Sequence, residues 1–246
     1  MLRECRLEDI SDGRTYGPND MVKADTGSCV GCHKCCTGMG SSIVLDPFDI
    51  FNMKLELGKS FEELLGLGFI ELNMVDGLIL PNLKMNEKNE CSFLNEEGRC
   101  SIHNARPGIC RLFPLGRIYD KTTFKFFLQK GECAKNNLTK IKVRKWIDVS
   151  DIEANTRFIN SWHYFIRSIG DKNIYLRDNG MGDKINEIAM YVLNEFFVKD
   201  IEVSHCNENE PERDNDIHSN ILQEDEIYST LCSKIENAKD VLKFNK

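Results

Sequence analysis

The apolar positions change rhythm along the chain. Up to about residue 130 they come in short runs broken by turn residues, and beyond 150 they settle into a helical repeat. Residues 43–45 form a short strand candidate. Asp46 follows as an N-cap, with Pro47 at the first helical position and Asp49 suited to the positive end of the helix dipole. Phe48, Phe51 and Leu55 recur at helical spacing, and Gly58 ends the helix. Ser60 and Glu63 make a capping-box pattern for a second short helix through Leu64, Leu65 and Leu67. Hairpins are predicted over 69–80, with Asp76-Gly77 as the turn, over 91–102, and over 115–129 with its turn near 120–123. The hairpin at 91–102 would bring Cys91 and Cys100 onto facing strands.

The later pattern is helical. Ile152, Phe158, Ile159, Trp162, Phe165, Ile166 and Ile169 line one side of residues 151–169. Ile185, Ile188, Ala189, Val192, Leu193 and Phe196 do the same in 184–201, as do Ile227, Leu231, Ile235, Ala238 and Leu242 in 224–242. Residues 204–220 have no periodicity and read as a flexible acidic linker, and residues 1–28 as a polar, extended lead-in.

Cysteine changes this picture. The chain of 246 residues holds 11, and eight of them (Cys29, Cys32, Cys35, Cys36, Cys91, Cys100, Cys110 and Cys133) fall between residues 29 and 133. Three thiols at x2 spacing on a glycine-containing loop, followed by a vicinal partner, can wrap a metal. A C-x2-C-x2-C run supplies three ligands to one [4Fe–4S] cluster in bacterial ferredoxins, and a C-x2-C pair supplies two to tetrahedral zinc. Either centre needs distant cysteines, and Cys91, Cys100, Cys110 and Cys133 are available. Eight thiolates allow two four-thiolate centres, or one centre with spares. Cys35 and Cys36 are adjacent, so they serve different centres or only one of them is a ligand. Cys5, Cys206 and Cys232 stand apart and are expected to be bystanders. His103 follows Cys100 at C-x2-H spacing, but with thiolates plentiful it is expected to stay off the metal, as is His33. The expected fold is therefore α+β: a lead-in (1–26), a small Cys-rich, metal-organised module of short hairpins and short helices (27–135), and a mainly helical C-terminal extension. That extension divides into helices (136–203), an acidic linker (204–223) and a closing helix (224–246).

Charge is as uneven as cysteine. The net charge is −7, yet residues 106–145 hold 11 Lys and Arg against two acids, a local +9 that leaves −16 for the rest. Four thiolates around Zn²⁺ or an oxidised [4Fe–4S] core carry a formal charge of about −2. Arg106 and Arg111, flanking Cys110, can offset that charge and donate towards sulfur from the shell around the ligands. The remaining lysines are either a solvated face or a surface for an acidic protein or nucleic-acid partner. No run of about 18 apolar residues exists to cross a membrane. The start mixes charges and lacks an apolar signal region, so a cytoplasmic location with reduced thiols is expected. A phosphate-binding GxxxxGK[ST] loop, an HExxH pair, a GxSxG elbow and the CxxxCxxC triplet of radical enzymes that use S-adenosylmethionine are all absent from the sequence. These observations leave an iron–sulfur protein with a redox or enzyme-associated role, or a zinc-stabilised binding module.

The run CVGCHKCC, the segment CSFLNEEGRCSIHNARPGICRLFP and the later Cys133 resemble the YkgJ-type cysteine-cluster family. Its defining domain is the zinc- or iron-chelating CxxCxxCC domain, which also occurs in flagellin lysine-N-methylases. The resemblance covers about residues 27–135. It implies metal binding by the eight cysteines from Cys29 to Cys133, and it raises protein lysine N-methylation as a third possible activity. Family members often have an aromatic residue where His103 stands. The helical part beyond about residue 140 lies outside the resemblance.

Overall fold

The computed structural model describes residues 6–25, 27, 32–135, 137–202 and 217–243, with side chains in the last helix from 224 onward. The fold is α+β, and it divides into two compact units. One comprises Met1–Val75 with Ile79–Asp148, the other Asp76–Leu78 with Val149–Lys246.

The first unit is built from short pieces. Residues expected as a lead-in carry α1 (Leu7–Ile10) and β1 (Met21–Asp25), and β1 pairs antiparallel with β6 (Thr139–Lys142). Tyr16 bridges to Phe126, adding the same segment to the hairpin of β4 (Leu115–Tyr119) and β5 (Phe124–Leu128). That hairpin turns as the sequence predicts, with the Asp120 carboxylate accepting from the N–H groups of Thr122 and Thr123 at 2.8 and 2.9 Å. Gly116 faces Phe127 across it, and the ring lies where a Cβ at Gly116 would stand.

α2 (Pro47–Leu57) starts and stops on the predicted residues, and α3 (Phe61–Gly66) starts on its predicted cap and ends one residue before Leu67. Both capping boxes are formed: Asp46 with Asp49, and Ser60 with Glu63. Gly58 closes α2 in the left-handed conformation (φ 59°) that glycine adopts without a Cβ penalty. β2 (Ile70–Val75) and β3 (Leu78–Leu83) form the Asp76-Gly77 hairpin. The strand candidate at 43–45 docks on β3, with Leu83 N–H donating to Ile43 C=O and Leu45 N–H to Pro81 C=O. Leu45, Ile50, Met53, Phe61, Leu64 and Ile70 are buried and form the core beneath these elements.

The hairpin expected at 91–102 is not a strand ladder. Asn95 accepts the N–H groups of Glu97 and Arg99 on its side chain, and a single bridge joins Leu94 to Cys100. Polar Asn-Glu-Glu-Gly fills the space between with a tight turn, so Cys91 instead bridges to Met85. Two short helices, α4 (Gly108–Leu112) and α5 (Val143–Ile147), complete the unit.

In the second unit, α6 (Ile152–Asp178) runs nine residues past the expected end and packs against α7 (Gly182–Leu193) and α8 (Ile217–Val241). Trp162 meets Phe196 and Phe165 with ring centroids 5.1 and 5.8 Å apart, and Phe158 stacks near Tyr228 at 5.6 Å. The chain after α7 widens into one π-helical turn, Asn194–Val198, that brings both Phe196 and Phe197 inward. α8 begins before the expected 224. Most of the expected acidic linker lies outside the described residues. Among the described residues no helix is long and apolar enough to cross a membrane.

Candidate metal centre

Five of the eight predicted ligands sit on four pieces of the first unit. Cys35 and Cys36 occupy a single 3₁₀ turn, Lys34–Cys36, closed by Cys36 N–H donating to His33 C=O at 2.9 Å. The chain then runs antiparallel to residues 89–91: Cys91 N–H donates to Cys36 C=O, and Gly38 N–H to Asn89 C=O, both at 2.8 Å. This pairing brings the vicinal cysteines beside Cys91 across 55 positions of sequence. Cys100 follows the Asn95 turn, and Cys110 lies on α4, its N–H donating to Pro107 C=O at 2.9 Å.

These five thiols act on one another. The Cys36 thiol donates to Cys35, which holds Cys35 down to about 7 and pushes Cys36 far above its ordinary range; burial and the charges of Cys35, Cys91 and Cys110 add to the rise at Cys36. Burial pushes Cys110 well up, reinforced by the Asp49 carboxylate and by Cys91, Cys35 and Cys100. Cys91 and Cys100 are also raised by burial and by the neighbouring thiols. In each of these two, a backbone N–H two residues on, from Phe93 or Ile102, bonds to the sulfur and favours the thiolate. Backbone donors directed at sulfur are a lever by which proteins stabilise metal thiolates. The sequence carries a sign of this that the motif reading missed: Cys-Ser-apolar-x-Asn occurs twice, at 91–95 and 100–104.

Arg106 lowers both Cys35 and Cys100, and its buried Nε has no hydrogen-bond partner. Arg111 is used differently. Its Nε donates to Arg106 C=O at 3.1 Å, one terminal nitrogen to Asp148 C=O at 2.8 Å, and the other to Asn104 C=O. It therefore ties down the loop that carries Cys110.

The other predicted residues fall outside this group. Cys32 and Cys133 are half-buried free thiols that do not figure among the charges acting most strongly on the five. Cys29 lies outside the described residues, as do Cys5 and Cys206, two of the expected bystanders. His103 is exposed, and its pKa is lowered by desolvation and by Arg106, Arg111 and Arg99. Cys232 lies in the second unit, hydrogen-bonded to Ser161. Every cysteine among the described residues is a free thiol.

Two observations test whether these residues suit a metal. The donor set is thiol-only with N–H groups directed at sulfur, and the orphaned Arg106 Nε has an unmet need for an anion, which a thiolate centre supplies. Among the described residues no three His, Cys, Asp or Glu side chains already converge in an arrangement that would hold an ion. Closing around one would therefore require the cysteine-bearing segments or side chains to move. The donor chemistry suits a thiolate metal site of the cysteine-cluster class.

Residues 28–137 match the model of the CxxCxxCC family, described as "Putative zinc- or iron-chelating domain". The module thus has a metal-binding role. No curated protein and no solved structure matches the chain.

Proposed function

We propose that the module holds a [4Fe–4S] cluster in a redox or enzyme-associated role, with Cys35, Cys91, Cys100 and Cys110 as its ligands. The observation that carries this reading is the backbone pairing that sets the Cys35–Cys36 turn against Cys91, with Cys100, Cys110 and Arg106 near enough to act on these thiols. Cys36, protonated, serves as a hydrogen-bond donor to the Cys35 sulfur. Arg106 offsets the charge of the centre, and Arg111 holds the Cys110 loop in place. Cys32 leads into the same turn and Cys133 follows β5; with Cys29 they complete the set of eight that serves metal binding. When bound, the cluster would supply one-electron chemistry; the protein's residues supply its thiolates, their N–H donors and the offsetting charge. The cytoplasm, where clustered thiols stay reduced and open to metal, is the location that suits this function. The test is anaerobic purification from iron-replete cells, followed by iron, acid-labile sulfide and visible absorbance. About four iron and four sulfide per chain are expected. A colourless protein with stoichiometric zinc would overturn the cluster.

Zinc is the second reading. It is favoured by the first unit's construction from three two-stranded sheets and short helices, the kind of fold a structural ion stabilises. A partner belongs to either reading. Within the basic stretch Lys121, Lys125, Lys130, Lys140, Lys142 and Lys145 are exposed, and Lys23 sits directly opposite Lys140 in the β1–β6 ladder. Facing like charges cost stability, which an acidic protein or nucleic-acid partner would relieve. Binding to nucleic acid should fall steeply with salt, and no shift in a low-salt gel would remove that partner.

A further inference from the structure

Asp49 has no role in the motif, yet the fold buries it at the centre of the module. It is 5% exposed. One carboxylate oxygen, Oδ2, accepts from Asp46 N–H at 3.0 Å, as the second half of the α2 capping box. The other, Oδ1, accepts from Gly108 N–H at 2.7 Å, 59 residues along the chain. Gly108 is the first residue of α4, and Cys110 follows two residues later. A capping box needs only one carboxylate oxygen at this position, so the second bond is an additional use of the side chain. It fixes the backbone from which Cys110 projects. The opposite flank of the same loop is held by the Arg111 guanidinium on the carbonyls of Asn104, Arg106 and Asp148. The 2.7 Å bond that Asp49 accepts from Gly108 N–H is buried, where a hydrogen bond is costly to lose.

We infer that Asp49 is a positioning residue of the metal centre: through Gly108 N–H its carboxylate sets the place of Cys110 and couples metal binding to the docking of α2. This inference rests on the reading of Cys110 as a ligand. Asp49 touches no metal in this role. Its effect passes through the backbone, in the way that partners around metal ligands orient them.

Three variants separate positioning from capping. Asp49→Ala removes both bonds. Asp49→Asn keeps an oxygen for Gly108 N–H but cannot accept from Asp46 N–H with its amide nitrogen. Asp46→Ala removes the N-cap side chain, which accepts from Asp49 N–H at 2.9 Å, and leaves the Gly108 bond in place. Cobalt(II) is the probe, added to the metal-free full chain under anaerobic conditions, with thiolate-to-cobalt absorbance as the signal. Asp49→Ala should weaken cobalt binding by about 10–100-fold, the usual effect of losing a group that orients a ligand. Asp49→Asn should recover most of it, and Asp46→Ala should bind as wild type while melting lower. Equal loss in Asp46→Ala and Asp49→Ala, or no loss in Asp49→Ala, overturns the inference.

A second measurement needs no metal. Alkylation mapped by mass spectrometry should show Cys110 reacting faster in folded Asp49→Ala than in wild type, with Cys91 unchanged. Unchanged Cys110 reactivity also overturns the inference. A wild-type protein that takes up no metal sinks the proposed function, and the alkylation result still decides whether Asp49 positions Cys110.

Discussion

Replacing Arg106 by methionine keeps most of the side chain's apolar stem and deletes its charge. In the metal-free protein that charge is poorly used, since the buried Nε has no acceptor. Its effect is felt at Cys35 and Cys100. At an effective dielectric of about 20, one unit charge about 5 Å from another is worth ~3 kcal/mol. Desolvation of the guanidinium takes back part of this, leaving about 1.5–2.5 kcal/mol for a centre of net negative charge. That corresponds to roughly 10–70-fold in metal affinity. The signs in the two states should therefore differ. Arg106→Met should weaken zinc binding by about that factor in competition with a chromophoric chelator. It should leave the melting temperature of the metal-free protein unchanged or slightly higher, because removing an unpaired buried polar group is neutral or favourable. Arg106→Lys should fall between wild type and Met. Because the pair is buried, raising salt should change the difference little. A zinc Kd within about threefold of wild type, under ~0.7 kcal/mol, would refute the electrostatic role. So would a metal-free variant that melts well below wild type, which would make Arg106 a structural residue.

Other substitutions probe the remaining parts. Cys100→Ser should strip most of the metal, whereas Cys232→Ser should leave metal content untouched, as elemental analysis will show; equal losses would contradict the grouping of the thiols. Gly116→Ala should destabilise the first unit by about 1–3 kcal/mol in urea melts, because the added Cβ would overlap the Phe127 ring. Asp151→Ala should cost α6 about 1 kcal/mol at neutral pH through loss of its N-cap. Hydrogen bonds from Ala154 and Glu153 N–H hold the Asp151 carboxyl below its ordinary 3.8. The cap's contribution is thus present above that value and lost as pH falls through the lower folded one. Wild type and variant should converge in acid, which pH-dependent thermal melts can check.

How far the sequence could be read depends on the range of the forces involved. α2 and the start of α3 are legible to the residue, because Asp46, Pro47, Gly58, Ser60 and Glu63 act within one helical turn, through caps and fixed backbone angles. The hairpins with Asp-Gly and Asp-Lys-Thr-Thr turns were legible for the same reason. The turn at 91–100 was misread as strands, since alternation in so short a segment does not distinguish a ladder from an Asn-centred turn. β6 was not foreseen. Its sequence, Thr-Lys-Ile-Lys, has one apolar residue, and it becomes a strand because β1 supplies a partner.

The sequence by itself determined that the chain is α+β and that its cysteines are concentrated in one segment whose spacing and thiol chemistry mark a chelating module. Spacing and residue type are properties of the chain, and they survive without a fold. Only the tertiary structure decided which cysteine-bearing segments lie side by side. Cys35 and Cys36 reach Cys91 through a backbone pairing, and Cys110 is placed by a carboxylate 61 residues before it. It also separated two arginines that look alike in sequence, one beside the thiols and one bonded to carbonyls. These contacts join residues that no local rule connects. Burial and charge, which give them their strength, arise only once the chain has folded.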